Sequence, residues 1–466
     1  MMVCEIANQE ADMSPTPPNA PVNSHYLDKV MDVAEQMSVE VIVDILDVRG
    51  MKLVSKGTLV TRALREKLIA HKLMRPFEAS VRAVDGVDAR AVAQVAERLA
   101  DLSPPVAGLL RSVPAGGPSP LQILGQLEFG NAMALMLTAS DRAGGPSLEH
   151  AVLVSMLSIC MAKTLRLGEH EQMTAGLAGL LHDIGELYID PRYLARGKRL
   201  LPHEWAHVVV HPRTGQMLID QLESFPPAVG RAVAEHHERL DGTGYPRQAS
   251  GQQISGAGQA VGVAEMIAGL LLKDFPLERA ELALKIVPGE QAPQLLAAVS
   301  GALRECGHAE TAPDAARWHG GESVPGLYAR IGAILKLGER LLDGPAAKSE
   351  RTCKVLRATL DRVRKIQRAF VSTGLDAYLQ PLAFGTSSDA RLLFEKDVAS
   401  RELQWRLRDI ARDLVLQADS PDEKVVLASL VNLLDNDDGI VEPPKLPFQP
   451  GLQRGPQTAA DRRLRA

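Results

Sequence analysis

Five histidines and two acidic residues constrain the fold of this 466-residue chain more than any other feature: His150, His182, Asp183, His211, His236, His237 and Glu265. Imidazole and carboxylate together make the ligand set of a hydrolytic two-metal centre, with carboxylates bridging and neutral imidazoles capping each ion. Donors so far apart in sequence must meet in one place. A cage of helices, with ligands near helix ends and on inward faces, meets that requirement.

The hydrophobic pattern agrees. Helical periodicity runs over 148–167, 173–181, 202–222, 226–236 and 257–272, and again over 324–342, 355–370, 402–416 and 424–434. Aromatic residues make up only 4% of the chain, while Ala and Leu dominate, which favours helix over sheet. A mainly α protein is expected: a helical metal-binding bundle with a small N-terminal α/β module and a C-terminal helical extension. The chain exceeds what one core usually organises, so two or three domains are expected.

Residues 1–24, with Pro15, Pro17, Pro18 and Pro21, read as disordered. Residues 25–118 read as a small regulatory module with linker helices. Its strands are expected at 39–45, 51–54 and 77–81, with Arg49-Gly50 as a turn and Thr61 capping a helix over 62–71. Helices over 89–102 and 120–137 follow, with joints at Pro104-Pro105 and 114–118. The metal-binding domain is placed at 119–280, the helical C-terminal region at 281–440 and a disordered tail at 441–466; the loop 310–322 is poor in apolar residues.

A net charge of −5 provides no large basic field, which argues against DNA or RNA as a partner. Cys4, Cys160, Cys306 and Cys353 lack CxxC spacing and read as free thiols of a reducing compartment. No basic stretch followed by an apolar one opens the chain. The longest apolar run, 257–272, contains Glu265 and is short for a membrane span. A cytoplasmic protein without a membrane segment is the expectation.

His182-Asp183-Ile184-Gly185 and the stretch from His236-His237-Glu238-Arg239 through Gly244-Tyr245-Pro246 resemble the HD-GYP family, a branch of the HD phosphohydrolases that linearises the bacterial second messenger cyclic di-GMP. The resemblance covers roughly residues 146–275. It implies two divalent ions, iron or manganese. One would be held by His150, His182, Asp183 and Glu265, the other by Asp183, His211, His236 and His237. Asp183 and His182 would be catalytic, and the product linear pGpG or, further on, GMP. Adjacent helical residues point about 100° apart, so the His182 imidazole can bind one ion while the Asp183 carboxylate bridges both. By the same resemblance Gly244, Tyr245, Lys273 and Arg213 are candidate substrate contacts, and a homodimer or a signalling protein is a candidate partner. Asp241 to Pro246 also reads as a plain turn, since two glycines permit positive φ. His203 and His207, at i and i+4, are assigned to the surface, as is His170.

The chain departs from the family in four places. Glu186 stands where the family has a lysine that meets a substrate phosphate, and in a water-poor site that reversal costs on the order of several kcal/mol. The basic stretch expected after the carboxylate ligand reads Lys273-Asp274-Phe275-Pro276, leaving Lys273, Arg192, Arg196, Lys198 and Arg213 as substitutes. Glu265 replaces an aspartate, and Pro146 replaces a glutamate that some members use for a third metal. Two alternatives follow: a catalytically silent regulatory protein that binds a nucleotide or a partner, and a hydrolase of another phosphoester.

Overall fold

The computed structural model describes residues 22–142, 147–195, 200–271, 289–305, 323–344, 349–372, 390–418 and 420–435. The expected disordered ends, apart from residues 22–24, and the loop 310–322 lie outside these residues. So do Pro146, Lys273, Arg196 and Lys198. The protein is mainly α, with four short strands among the described residues. No helix among them is long and apolar enough to cross a membrane.

The N-terminal module opens with a helix absent from the sequence expectations, Ser24–Ala34, whose first turn is capped by Asn23: the Tyr26 amide donates to Asn23 Oδ1 at 3.0 Å. The expected first strand divides in two. Val39–Val41 pairs antiparallel with Val81–Ala83, and Ile45–Leu46 pairs antiparallel with Lys52–Val54. The first pairing ends with the Ile42 amide, which donates to the Ser80 carbonyl, and beyond it Asp44 accepts from the Lys56 amide. The third strand lies at Val81–Ala83 rather than 77–81; Phe77 is buried and Glu78–Ser80 forms a 3-10 turn. The helix expected over 62–71 contracts to the turn Arg62–Leu64 and Arg65–Ile69, and the Thr61 side chain makes no cap bond.

Ala89–Leu102 ends where expected. Pro104-Pro105 marks a joint as expected: Ser103 ends that helix and caps the next, Pro104–Arg111, whose first turn holds the prolines, where a missing N–H costs nothing. The helix expected over 120–137 is two, Pro120–Leu124 and Asn131–Arg142.

The core helices are Leu148–Thr164, Glu169–Leu181, His211–Leu222, Pro227–Glu235 and Gly256–Leu271. Leu148–Thr164 is buried without interruption from Ala151 to Lys163, as befits a central helix enclosed on every side. One apolar cluster runs from Tyr26 of the module through these helices to Leu303, so module and bundle share a continuous core. The helix Pro293–Glu305, placed with the C-terminal region by sequence, packs into that same cluster through Leu295, Val299 and Leu303. A second cluster joins Val324–Leu342, Glu350–Ser372, Ala390–Gln417 and Pro421–Asp435 around Leu360, Phe370, Leu403 and Leu430.

Thr138 ties the linking helix to the module. Its buried hydroxyl accepts from the Val87 amide at 2.8 Å and donates to the Ala134 carbonyl at 2.7 Å. Thr138→Val keeps the shape but leaves a buried N–H without a partner, so urea unfolding should show a loss of about 1–3 kcal/mol. An unchanged midpoint would mean that Thr138 is no such tie.

Candidate metal centre

Six of the seven donors sit at or just past a helix end, and Glu265 projects from within Gly256–Leu271. His150 is in the first turn of Leu148–Thr164, and His182 ends Glu169–Leu181. His211 opens His211–Leu222, and His236 ends Pro227–Glu235. The His182-Asp183 pair therefore straddles a helix end rather than lying within a helix, with Asp183 leading into a 3-10 turn, Ile184–Tyr188. The helix expected over 202–222 breaks before His211: Glu204–His207 is a separate 3-10 turn, and Pro212 lies in the first turn of the new helix, where it can open a helix but not continue one. Gly185 makes the crossing possible, since a Cβ there would lie 2.1 Å from the His211 carbonyl oxygen. That contact places Asp183 beside His211.

Three imidazoles are pinned in the same way. Nδ1 of His182, His211 and His236 each faces the carbonyl three residues earlier, Gly179 at 2.9 Å, Val208 at 2.8 Å and Val233 at 2.6 Å. A ring nitrogen against a carbonyl carries a proton, so in the neutral ring, the form a metal ligand takes, Nε2 is the lone pair and is directed into the cage.

The free nitrogens and carboxylates fall into two groups, His150, His182 and Glu265, and Asp183, His211, His236 and His237, each with donor atoms within 4.8 Å of one another. Asp183 lies between them. Its Oδ2 is 3.0 Å from His182 Nε2, while Oδ1 is 3.4 Å from His211 Nε2 and 3.7 Å from His236 Nε2. Glu265 reaches the cage despite its extra methylene, with Oε2 at 3.0 Å from His150 Nε2 and 3.3 Å from His182 Nε2.

These donors fit a pair of divalent ions. His182 Nε2 and Glu265 Oε2 are buried and, among the described residues, have no polar partner except the other donors of the cage. His211 and His236 bring their Nε2 atoms to 3.3 Å with both protons committed elsewhere, so two lone pairs face each other. A cation between them resolves both defects.

The electrostatics are divided. Burial, reinforced by neighbouring imidazoles, holds His237 well below the usual histidine range and His211 at about 4. For His182 burial opposes the charge, but Asp183 and Glu265 outweigh it and raise the pKa well above the usual range. Glu186 is half-buried on the turn after Asp183. Burial, then the Asp183 charge, pushes its carboxyl up to about 8, against the opposing pull of His182 and of Lys29.

Gly244 and Tyr245 close one side of the cage. A Cβ on Gly244 would lie 2.4 Å from the Arg239 nitrogen, the Glu238 Cα and the His237 oxygen, so the loop can fold onto His237 only with glycine there. The Tyr245 amide donates to the His237 carbonyl at 3.2 Å and its ring stacks on the His237 imidazole at 4.6 Å. Asp241 to Pro246 is thus both a tight turn, with Gly242 at φ +78°, and a wall of the site.

Arg213 does not join this group. Two residues beyond His211 it falls on the far face of the helix, exposed, with Nη1 donating to Gln216 at 2.5 Å. His170 and His203 are exposed, and His207 stacks on Tyr193 at 4.4 Å. Arg192 pairs with Asp190 at 2.8 Å.

Sequence reasoning missed the carboxylates beneath the tandem histidines. Glu238 accepts from the Arg247 and Ala249 amides at 2.8 and 2.9 Å, and Glu235 from the Ser255 amide at 2.8 Å. Buried acids flanking the tandem pair were the available signal. It also missed Trp205, which meets Tyr245 edge-on at 5.3 Å.

The HD-domain family profile matches residues 134–283. A cyclic di-GMP phosphodiesterase of Pseudomonas aeruginosa is 38% identical over 106 residues, 23% of this chain and 26% of the relative. A 3'3'-cGAMP-specific phosphodiesterase of Vibrio cholerae is 33% identical over 106 residues, 23% of each chain. This chain thus spans about a quarter of the length of these curated relatives. A solved HDG"Y"P protein from Bdellovibrio bacteriovorus matches at 15% identity and a TM-score of 0.32, covering 58% of this chain and 98% of that one, a likeness too loose to bear on the chemistry. Residues 134–283 of this chain are an HD domain, and both HD-GYP signature stretches lie on it.

Proposed function

We propose that the HD domain is a two-metal phosphodiesterase that opens a cyclic dinucleotide, cyclic di-GMP in the first place, to linear pGpG. The observation that carries this reading is the position of Asp183, one carboxylate oxygen toward each group of donors. Bound divalent ions, iron or manganese for a mixed imidazole and carboxylate set, would activate a water and neutralise charge developing on the phosphate. His150, His182, Asp183 and Glu265 would hold one ion, and Asp183, His211, His236 and His237 the other. The carbonyl-pinned rings hold the donors before any ligand arrives, which limits reorganisation during reaction. Tyr245, stacked on His237, screens that side of the cage from water and offers a flat ring beside the substrate. The names of the two relatives, which act on cyclic di-GMP and on 3'3'-cGAMP, support the substrate class.

Anaerobic incubation of iron- or manganese-loaded protein with cyclic di-GMP and 3'3'-cGAMP, followed by chromatography, tests the reading. Linear product is expected from the wild type, with turnover reduced on the order of a thousandfold in Asp183→Ala, as several kcal/mol of lost charge stabilisation requires. No product from metal-loaded wild type would sink it.

Glu186 favours a second reading, a metal-binding receptor without useful turnover, because it stands where a cation would attract an anionic substrate and, once ionised, it repels one. Under that reading Glu186→Lys gains activity that the wild type lacks. The acid also leaves a signature in stability. Its folded pKa, about 8, lies above the ordinary carboxyl value of 4.5. The folded state therefore keeps a proton that the unfolded chain has released, and stability falls as pH rises through that window. Metal-free Glu186→Gln should melt above the wild type at pH ~8, the gap closing toward pH ~5. Parallel melting curves at both pH values would refute this account of the acid.

A further inference from the structure

The metal cage is walled by more than its own domain. Beyond Tyr245 stands Trp205, and over the Trp205 ring, 4.8 Å from its centroid, lies the guanidinium of Arg412. Arg412 comes from the C-terminal helix Ala390–Gln417. Asp409, Arg412 and Asp413, at i, i+3 and i+4, share one helix face. The two acids of that face grip the segment that carries Gly244 and Tyr245: Asp409 accepts from Arg239 Nη1 at 3.1 Å, and Asp413 from Gln248 Nε2 at 2.8 Å. Arg412 is held between these two clamps.

Its neighbours are paired and it is not. Arg406 donates to both oxygens of Glu290 at 2.6 and 2.7 Å, and Arg362 pairs with Asp413 at 2.5 Å. Among the described residues no carboxylate pairs with Arg412, and its Nε is buried with no hydrogen-bond partner. A buried donor left unsatisfied is costly, and the molecule holds this one in place on both sides.

We propose that Arg412 is a substrate-binding residue that takes the second phosphate of the cyclic dinucleotide while the first lies at the metal cage; this rests on the phosphodiesterase reading above. A cyclic dinucleotide has two phosphodiester groups, and one two-metal centre neutralises one of them. The other needs a cation. The turn after Asp183 offers the acid Glu186, Arg213 faces away, and Arg192 is paired. Arg412 has forked donors that match phosphate oxygens, and Trp205 beneath it fixes the plane of the fork. The C-terminal bundle thereby completes a site that the HD domain begins.

The test compares full-length, metal-loaded wild type, Arg412→Ala and Arg412→Lys. Binding of cyclic di-GMP is measured in the cold, and hydrolysis is measured on cyclic di-GMP and on bis(p-nitrophenyl) phosphate, which has one phosphate. In Arg412→Ala the Kd and KM for cyclic di-GMP should rise about tenfold, the loss of one charge-assisted contact. Arg412→Lys should recover part of that loss, kcat should stay within about twofold, and the one-phosphate substrate should be unaffected. An unchanged Kd overturns the proposal, and so does a parallel loss on both substrates, which would mark Arg412 as structural. If the wild type binds cyclic di-GMP but releases no product, the phosphodiesterase reading fails alone and the ratio of Kd values still decides on Arg412. A wild type that binds no cyclic di-GMP overturns both.

Discussion

The bond from a ring nitrogen to the carbonyl three residues earlier, repeated at His182, His211 and His236, is the interaction on which the site depends. A helix end leaves carbonyls without intrahelical partners, and an imidazole at or just past that end can satisfy one while directing its second nitrogen outward. His182 and His236 stand at such ends, and His211 uses the carbonyl of the turn before its helix. The breaks between helices are thus part of the ligand geometry. Lengthening any of them by one residue would rotate a nitrogen out of the cage by about 100°.

Both flanking regions hold the segments that leave this cage. The module's first helix lays Tyr26 flat on Tyr188 at 5.0 Å, and Tyr188 hydrogen-bonds Glu78, so the turn after Asp183 is held by the module. On the other side the C-terminal bundle holds the segment after His237, through Arg239 and Asp409, Lys365 and Asp241 at 3.1 Å, and Gln248 and Asp413. The first contact is buried and largely apolar, while the second is charged and partly open to water. Exposed ion pairs contribute little and weaken with salt. The module is therefore fixed by a shared core, and the C-terminal bundle by charged contacts, of which Lys365–Asp241 is partly exposed and Arg239–Asp409 largely buried.

What was legible in the sequence was local. Period and capping residues placed Ala89–Leu102 and Val324–Leu342 to the residue, and the seven donors were recognisable as residue types in a pattern. The helix Ser24–Ala34 was not legible although Tyr26, Leu27, Val30, Met31 and Val33 form a buried stripe, because the Asn23 cap directly follows a proline-rich stretch that by composition reads as disordered. Pro212 marked the break before His211, and the long apolar pattern on either side hid it. Glu265 was ambiguous for a different reason: whether an extra methylene reaches a cage depends on where its helix is seated, and neighbours far away in sequence set that seat. Trp205 and Arg412 could not be paired from sequence, since no period links residues whose contact exists only in the tertiary fold.

Glu186 illustrates the limit of reading a motif by itself. Judged within its four-residue stretch, the acid removes a cation and leaves the substrate unbalanced. In the folded chain Lys29, from the module helix, donates to the Glu186 carbonyl oxygen at 3.5 Å and its charge opposes the rise in the acid's pKa, while Arg412 stands unpaired beyond Tyr245. Positive charge around the cage is thus supplied by both flanking segments. The potential at a site is the sum over every charge within a Debye length or so, and chain position does not enter that sum. A motif samples only the charges that are near in sequence. Where flanking regions are built into the walls, the local stretch can hold an acid in place of a cation and the site can still have cations close by.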